Sequence, residues 1–255
     1  MSASRTPPNP MPSDPMALMG DLIARAKAAG ADAADAVLIA GTSLSVERRM
    51  GKTEHLERSE GRDVGLRVFV GNRSAIVSST AVDPAGFAEL ASRAVAMARV
   101  VPEDPYGGLA AEAGAPPTLD LDLVDAAEPD AAHLIAAAQA AEDAALAVPG
   151  VSNSEGGSAS FGRTEVVLVT SAGFAGRTVR TGHSISATAL AGAGTSMQRD
   201  YDYSSAVHLS DLEDPALIGR TAGERAVKRL NPTRPKTTKL PVVLDPRIAA
   251  SLLGH

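Results

Sequence analysis

The chain has 255 residues, room for one large domain or two small ones at about 150 residues per domain. Hydrophobic residues make up 44% and charged residues 21%, which makes a buried core attainable and excludes a globally disordered chain. The formal charge of -6 argues against a dedicated nucleic-acid binder, and the lack of cysteine excludes disulfides, thiolate metal ligands and thiol chemistry.

Residues 1–14 hold Pro and Ser but no basic stretch followed by an apolar one, so they read as a disordered cytoplasmic N-terminus, not a secretion signal. No apolar run is long enough for a membrane helix, and no membrane contact is expected. Asp14-Pro15 opens a helix with Leu18, Leu22 and Ala26 on one face and Gly30 at its end. The segments DAVLIA and LSVERRM read as two short strands. The run ERRMGKTEHLERSEGRD, residues 47–63, mixes charges evenly and predicts a solvated hairpin and loop, or a rim that meets a partner subunit or an extended peptide. Gly71-Asn72 joins VGLRVFV and RSAIVSST in a tight hairpin. Asp83-Pro84 then precedes a helix on which Phe87, Leu90, Ala91, Ala94, Val95 and Ala98 follow the 3.6 period.

These elements form a first module over residues 15–107. A Pro-, Gly- and acid-rich exposed connector follows at 108–129. A second module spans 130–235. Its helix PDAAHLIAAAQAAEDAALAV ends at Pro149-Gly150. The strands SASFGRTEVVLVTS, FAGRTVRTG, HSISATALAGAG and YDYSSAVHLS come next, and a helix opened by Asp214-Pro215 carries Ile218, Ala222 and Ala226 in line. Residues 240–255 read as the start of a truncated third domain. Asp245-Pro246 opens a helix whose stripe of Ile248, Ala249, Leu252 and Leu253 needs further polypeptide to cover it. Strands in runs favour an α+β fold: an N-terminal α/β module with antiparallel strands and flanking helices, then a second antiparallel sheet with helices.

The chemistry is sparse. Of the five histidines, His55, His133, His183, His208 and His255, no two lie three or four residues apart, so no helix face offers a two-His clamp. His183 and His208 read as surface residues on strands, His133 as a solvated residue of a first helical turn. No GxSxG elbow is present, and Gly192 and Gly194 lack the Lys and following helix of a phosphate loop. Arg225, Lys228, Arg229, Arg234, Lys236 and Lys239 cluster without aromatic residues to stack bases, which makes nucleic acid an unlikely partner. Tyr201 and Tyr203 share a strand face and offer a small aromatic surface for a subunit or a small ligand. No catalytic, cofactor-binding or metal residue is assigned.

Several segments in order resemble the TldD/PmbA family, once labelled modulators of DNA gyrase. LERSEGRDVGLRVFVGNRSAIVSST with DPAGFAELASRAVAMARVVPEDPYGGL is similar to its N-terminal domain. VSNSEGGSASFGRTEVVLVTSAGFAGRTVRTGHSISATALA with QRDYDYSSAVHLSDLEDPALIGRTAGERAVKRLNP is similar to its middle domain, and LPVVLDPRIAASLLGH to the start of its C-terminal domain. The resemblance implies a metallopeptidase complex in which a TldD-type and a PmbA (TldE)-type subunit pair and cleave small or unfolded peptides. The catalytic branch carries zinc on a His-Glu-x-x-x-His helix. Here Leu252-Leu253-Gly254-His255 stands where that branch reads Leu-Leu-His-Glu. The resemblance therefore implies the PmbA-type, non-catalytic half, with no cofactor in this chain, zinc in a TldD-type partner, and heterodimerisation or self-association. A gyrase- or DNA-associated interaction protein is the alternative.

Overall fold

A computed structural model describes residues 11–110 and 119–254. Helix α1 (Pro15–Ala28) leads into three antiparallel strands, β1 (Ala33–Arg49), β2 (Lys52–Val70) and β3 (Arg73–Ser79), and then α2 (Phe87–Ala98). Helix α3 (Ala131–Leu146) precedes β4 (Val151–Thr170), β5 (Ala175–Ala191), β6 (Gln198–Ala206) and α4 (Pro215–Lys228). The Asp-Pro signals act as expected. Asp14 and Asp214 accept backbone N–H groups of their first helical turns, with Pro at the first position, and Asp130 caps α3 in the same way.

The six strands form one antiparallel sheet in the order β3-β2-β1-β4-β5-β6. The two modules are thus halves of one sheet, joined where β1 pairs with β4 over Asp35–Arg48. Parity along β1 places the helices. Ala34, Ala36 and Leu38 enter a core with α1 and α2, while Leu44 and Val46, of the same parity, enter a second core with α3 and α4. Val167 and Ala159 repeat this on β4. Because alternate residues share a face, both helix pairs cover the same side, and among the described residues the opposite side carries none of these four helices.

The α+β expectation is met, with longer strands than the sequence suggests. DAVLIA and LSVERRM belong to the single strand β1, and FAGRTVRTG and HSISATALAGAG to β5. The charged run 47–63 is a hairpin but not a loop. It stays paired up to the two-residue turn Met50-Gly51, where φ is 49° and 76°. Side chains solvated on both faces leave no period-2 hydropathy signature, so the sequence hides the strand. Gly71-Asn72 is the expected tight turn, with Val70 opposite Arg73.

The α3 residue Glu142 locks the charged hairpin. It is buried, and its carboxylate accepts the N–H groups of Met50 at 2.7 Å and Gly51 at 3.1 Å. At the other end of the chain, α5 (Pro246–Ala249) continues as a 3-10 turn over Ala250–Gly254, and Ile248, Leu252 and Leu253 are exposed. His255, residues 1–10 of the expected disordered N-terminus and 111–118 of the expected connector lie outside the described residues.

Candidate functional site

Part of the expected connector is docked against the second half of the sheet. Beyond the end of β6 the edge of β5 is taken over by residues 123–127. Thr181 N–H donates to the Leu123 carbonyl at 2.9 Å, and the Thr181 hydroxyl accepts the N–H of Asp125 at 2.8 Å. Leu209 N–H donates to Asp125 Oδ2 at 2.7 Å. The connector's alternation of Leu119, Leu121 and Leu123 with Asp120 and Asp122 gives no signal of this docking, since Leu119 and Leu121 are exposed and the bonds come from Leu123 and Asp125.

Asp125 gathers two of the histidines. His183 Nε2 lies 3.2 Å from Asp125 Oδ2, and His208 Nδ1 lies 3.9 Å from Oδ1. His208 Nε2 reaches Asp122 Oδ1 at 3.2 Å. The surface expectation for His183 is corrected: it is 2% exposed, because it lies on the helix-bearing face of β5 with its ring 5.1 Å from that of Phe161. Its contact with Asp125 lacks hydrogen-bond alignment, and neither ring nitrogen has a hydrogen-bond partner among the described residues. Burial pushes the His183 pKa down, although Asp125 opposes the shift. The His208 pKa is raised, chiefly by its bond to the Asp122 carbonyl. The N–H groups of Leu209 and Ala127 hold Asp125 below the usual carboxylate range.

A second cluster closes the edge strand β6. Tyr201 and Tyr203 share a face as expected, with ring centroids 6.3 Å apart. The Arg247 guanidinium sits 5.3 Å from the Tyr201 ring centre and donates to Asp200 Oδ1 and to the Tyr201 carbonyl, each at 3.0 Å. Arg229 donates to the Arg199 carbonyl at 2.9 Å and pairs with Asp200, while Arg225 pairs with Asp202. Burial pushes the Asp200 carboxyl up, but the Tyr201 N–H and Arg247 outweigh it and its pKa is lowered. Two members of the cationic stretch, Arg225 and Arg229, are thus engaged by β6 and not displayed for phosphates. Gly192 and Gly194 lie in the β5–β6 connection, followed by a 3-10 turn and a strand, not the helix a phosphate loop requires.

The helix-free face carries a patch of small side chains, with Ile39, Leu168, Arg180, Tyr201 and Tyr203 on the same face around it. Register aligns Ser45, Ser160, Ser184 and Ser205 across four strands, and Ser43 with Gly162 and Gly182 beside them. Hydroxyls bridge strands at Ser158–Ser186, 2.8 Å, and Ser160–Ser184, 2.9 Å. A shallow cavity of about 260 Å³ lies here against Arg180, and one of about 280 Å³ lies between Arg67, Leu168, Phe174 and Leu109.

The described residues do not fit a metal centre. The ring nitrogens of His208 address two different carboxylates instead of converging with His183 on one point, and no group of three His, Cys, Asp or Glu among the described residues is placed to hold an ion. No helix among the described residues is long and apolar enough to cross a membrane.

Fold and clusters define a two-layer antiparallel scaffold, with paired helices over one face and an open hydroxyl-lined face behind. Residues 34–98 match the PmbA/TldA metallopeptidase domain 1 and residues 125–230 the PmbA/TldA metallopeptidase central domain. The chain belongs to the PmbA/TldD family. It is 34% identical over 226 residues to Metalloprotease PmbA of Escherichia coli O157:H7, covering 88% of this chain and 50% of the relative. It is 28% identical over 216 residues to a Metalloprotease PmbA homolog of Haemophilus influenzae, covering 84% and 48%. The chain therefore spans about half the length of these relatives. Its fold is shared with a candidate modulator of DNA gyrase from Bacteroides thetaiotaomicron at TM-score 0.85, 24% identity and coverage of 96% of this chain and 56% of that one. TldE from Thermococcus kodakarensis shares it at TM-score 0.62 and 14% identity, over 83% and 47%.

Proposed function

We propose that this chain contributes the first two domains of a PmbA/TldE-type subunit. Such a subunit pairs with a zinc-bearing TldD-type subunit in a cytoplasmic complex that cleaves small or unfolded peptides. The observation that carries the proposal is the 34% identity to a metalloprotease PmbA along 88% of this chain. In this reading the chain shapes the space around the substrate and leaves hydrolysis to its partner. The open face supports that role. Its patch of serines and glycines forms a flat wall with hydroxyl partners for an extended peptide.

The test mixes the protein at its full native length with a TldD-type subunit and measures peptide cleavage and zinc content against each alone. Cleavage confined to the mixture, with zinc in the TldD-type subunit, is the expected result. Chelator-sensitive cleavage by this chain alone would overturn the division of labour.

A further inference from the structure

Strand β3 covers β2 only over Val64–Val70, so on its outer side the rest of β2 has no strand neighbour among the described residues. Residues 51–59 are all exposed. The orientation of this free edge follows from the Gly71-Asn72 turn. Val70 and Arg73 flank a two-residue turn and exchange both hydrogen bonds, so Val70 aims its N–H and C=O at β3. Backbone direction alternates along a strand, and the only irregularity in the β1–β2 register lies at Glu47/Arg48. Leu56, Arg58 and Glu60 therefore present their N–H and C=O groups outward.

Such an edge is normally blunted by charge against any strand that approaches. Here the charges are ordered. Leu56, half-exposed, stands at the centre of Lys52-Thr53-Glu54-His55-Leu56-Glu57-Arg58-Ser59-Glu60. Folding this segment antiparallel onto itself about Leu56 sets Leu56 against Leu56. His55 then faces Glu57, Glu54 faces Arg58, Thr53 faces Ser59 and Lys52 faces Glu60. Every charge meets its opposite or a histidine. A two-fold axis perpendicular to the sheet keeps facing side chains on one face, as antiparallel strands require. It also makes Leu56 and its copy a doubly hydrogen-bonded pair. Glu54 is the extra residue of the bulge between the Glu47–His55 and Arg48–Thr53 pairs, so regular pairing centres on His55–Glu57 while the longer ion pairs flank it. Moving the axis one residue destroys the match: about Glu57, two carboxylates meet and Glu54 faces Glu60; about His55, Lys52 faces Arg58.

We infer that this edge of β2 is a docking surface for a second copy of the same chain, paired antiparallel about Leu56, with the charge pattern selecting the register. In the single chain the same groups settle for neighbours along the strand, His55 with Glu57 at 3.1 Å and Arg58 with Glu60 at 2.6 Å. One strand pair is a small interface, so the dimer is concentration-dependent, with a Kd on the order of 10 µM.

Sedimentation of the chain from about 1 to 100 µM reads the proposal directly. The dimer fraction rises over that range and falls when salt is added. Arg58→Glu faces Glu54 with a carboxylate in the homodimer, and Glu54→Arg faces Arg58 with a guanidinium. Each variant alone weakens self-association about tenfold, and an equimolar mixture of the two restores it, because the mixed pair regains both ion pairs. Unchanged circular dichroism of each variant confirms that the hairpin still folds. A chain that stays monomeric throughout, charge variants that associate like the parent, or a mixture no better than its components would each overturn the inference.

Discussion

The two halves of the sheet are built on opposite packing strategies. The first core is filled by large side chains, among them Met19, Leu22, Phe87, Leu90, Leu66 and Val68. The second is mostly alanine, with Ala138, Ala141, Ala145, Ala187, Ala189, Ala222 and Ala226 around Leu134, Ile185 and Ile218. Without bulk between them, α3 and α4 approach until backbones touch. A Cβ added at Gly219 would lie 1.8 Å from the Ala141 carbonyl oxygen. Bulk carries the stability of one half and close approach that of the other, so the same kind of mutation weighs differently in each.

Removing volume is the sharpest test of the first half. Phe87→Ala empties a fully buried ring position and should cost about 3–5 kcal/mol in denaturant unfolding, whereas Ala222→Gly in the second half should cost only about 1 kcal/mol. Adding volume reverses the ranking. Gly219→Ala should lose about 3 kcal/mol, since the atom it meets is backbone and cannot swing aside. A neutral outcome would mean that α3 and α4 are less closely apposed than this geometry requires.

Glu142 ties the halves together, because a helix of the second holds the hairpin turn that begins in the first. Glu142→Gln leaves one acceptor and turns an amide donor toward a backbone N–H, which should cost about 1–3 kcal/mol. Hydrogen exchange at the Met50 and Gly51 amides should quicken ahead of the amides of β1.

The smallest effect is pH-dependent and belongs to the second half alone. The lowered pKa of His183 gives stability that is present above its ordinary value of 6.5 and lost as pH falls through its folded value. The raised pKa of His208 gives stability that is present below 6.5 and lost as pH rises through its folded value. Together they favour a docked connector near neutrality. His208→Gln should flatten the alkaline side of a thermal-unfolding profile and leave the acidic side intact, with no comparable change in the first half.

Much of the fold could be read locally. Asp14-Pro15, Asp214-Pro215, the period of Phe87 to Ala98 and the Gly71-Asn72 turn all act within a few residues, where backbone preference and hydropathy period carry the information. The candidate clusters were less legible. The shared face of Tyr201 and Tyr203 follows from strand alternation, but the Arg247 guanidinium over the Tyr201 ring comes from α5, far along the chain. The solvated charges of residues 47–63 conceal a strand paired to its tip, since a backbone ladder leaves no mark on side chains wet on both faces.

Residue order is enough for the Asp-capped helices, the tight hairpin and the kinship with PmbA proteins, because each depends on that order or on neighbours along the chain. The tertiary structure alone decided that the two halves share one sheet, that His183 is buried beside Asp125 and that Glu142 holds a turn 92 residues away. These depend on which distant segments meet, and burial and hydrogen-bond satisfaction of the whole chain settle that, not any local preference.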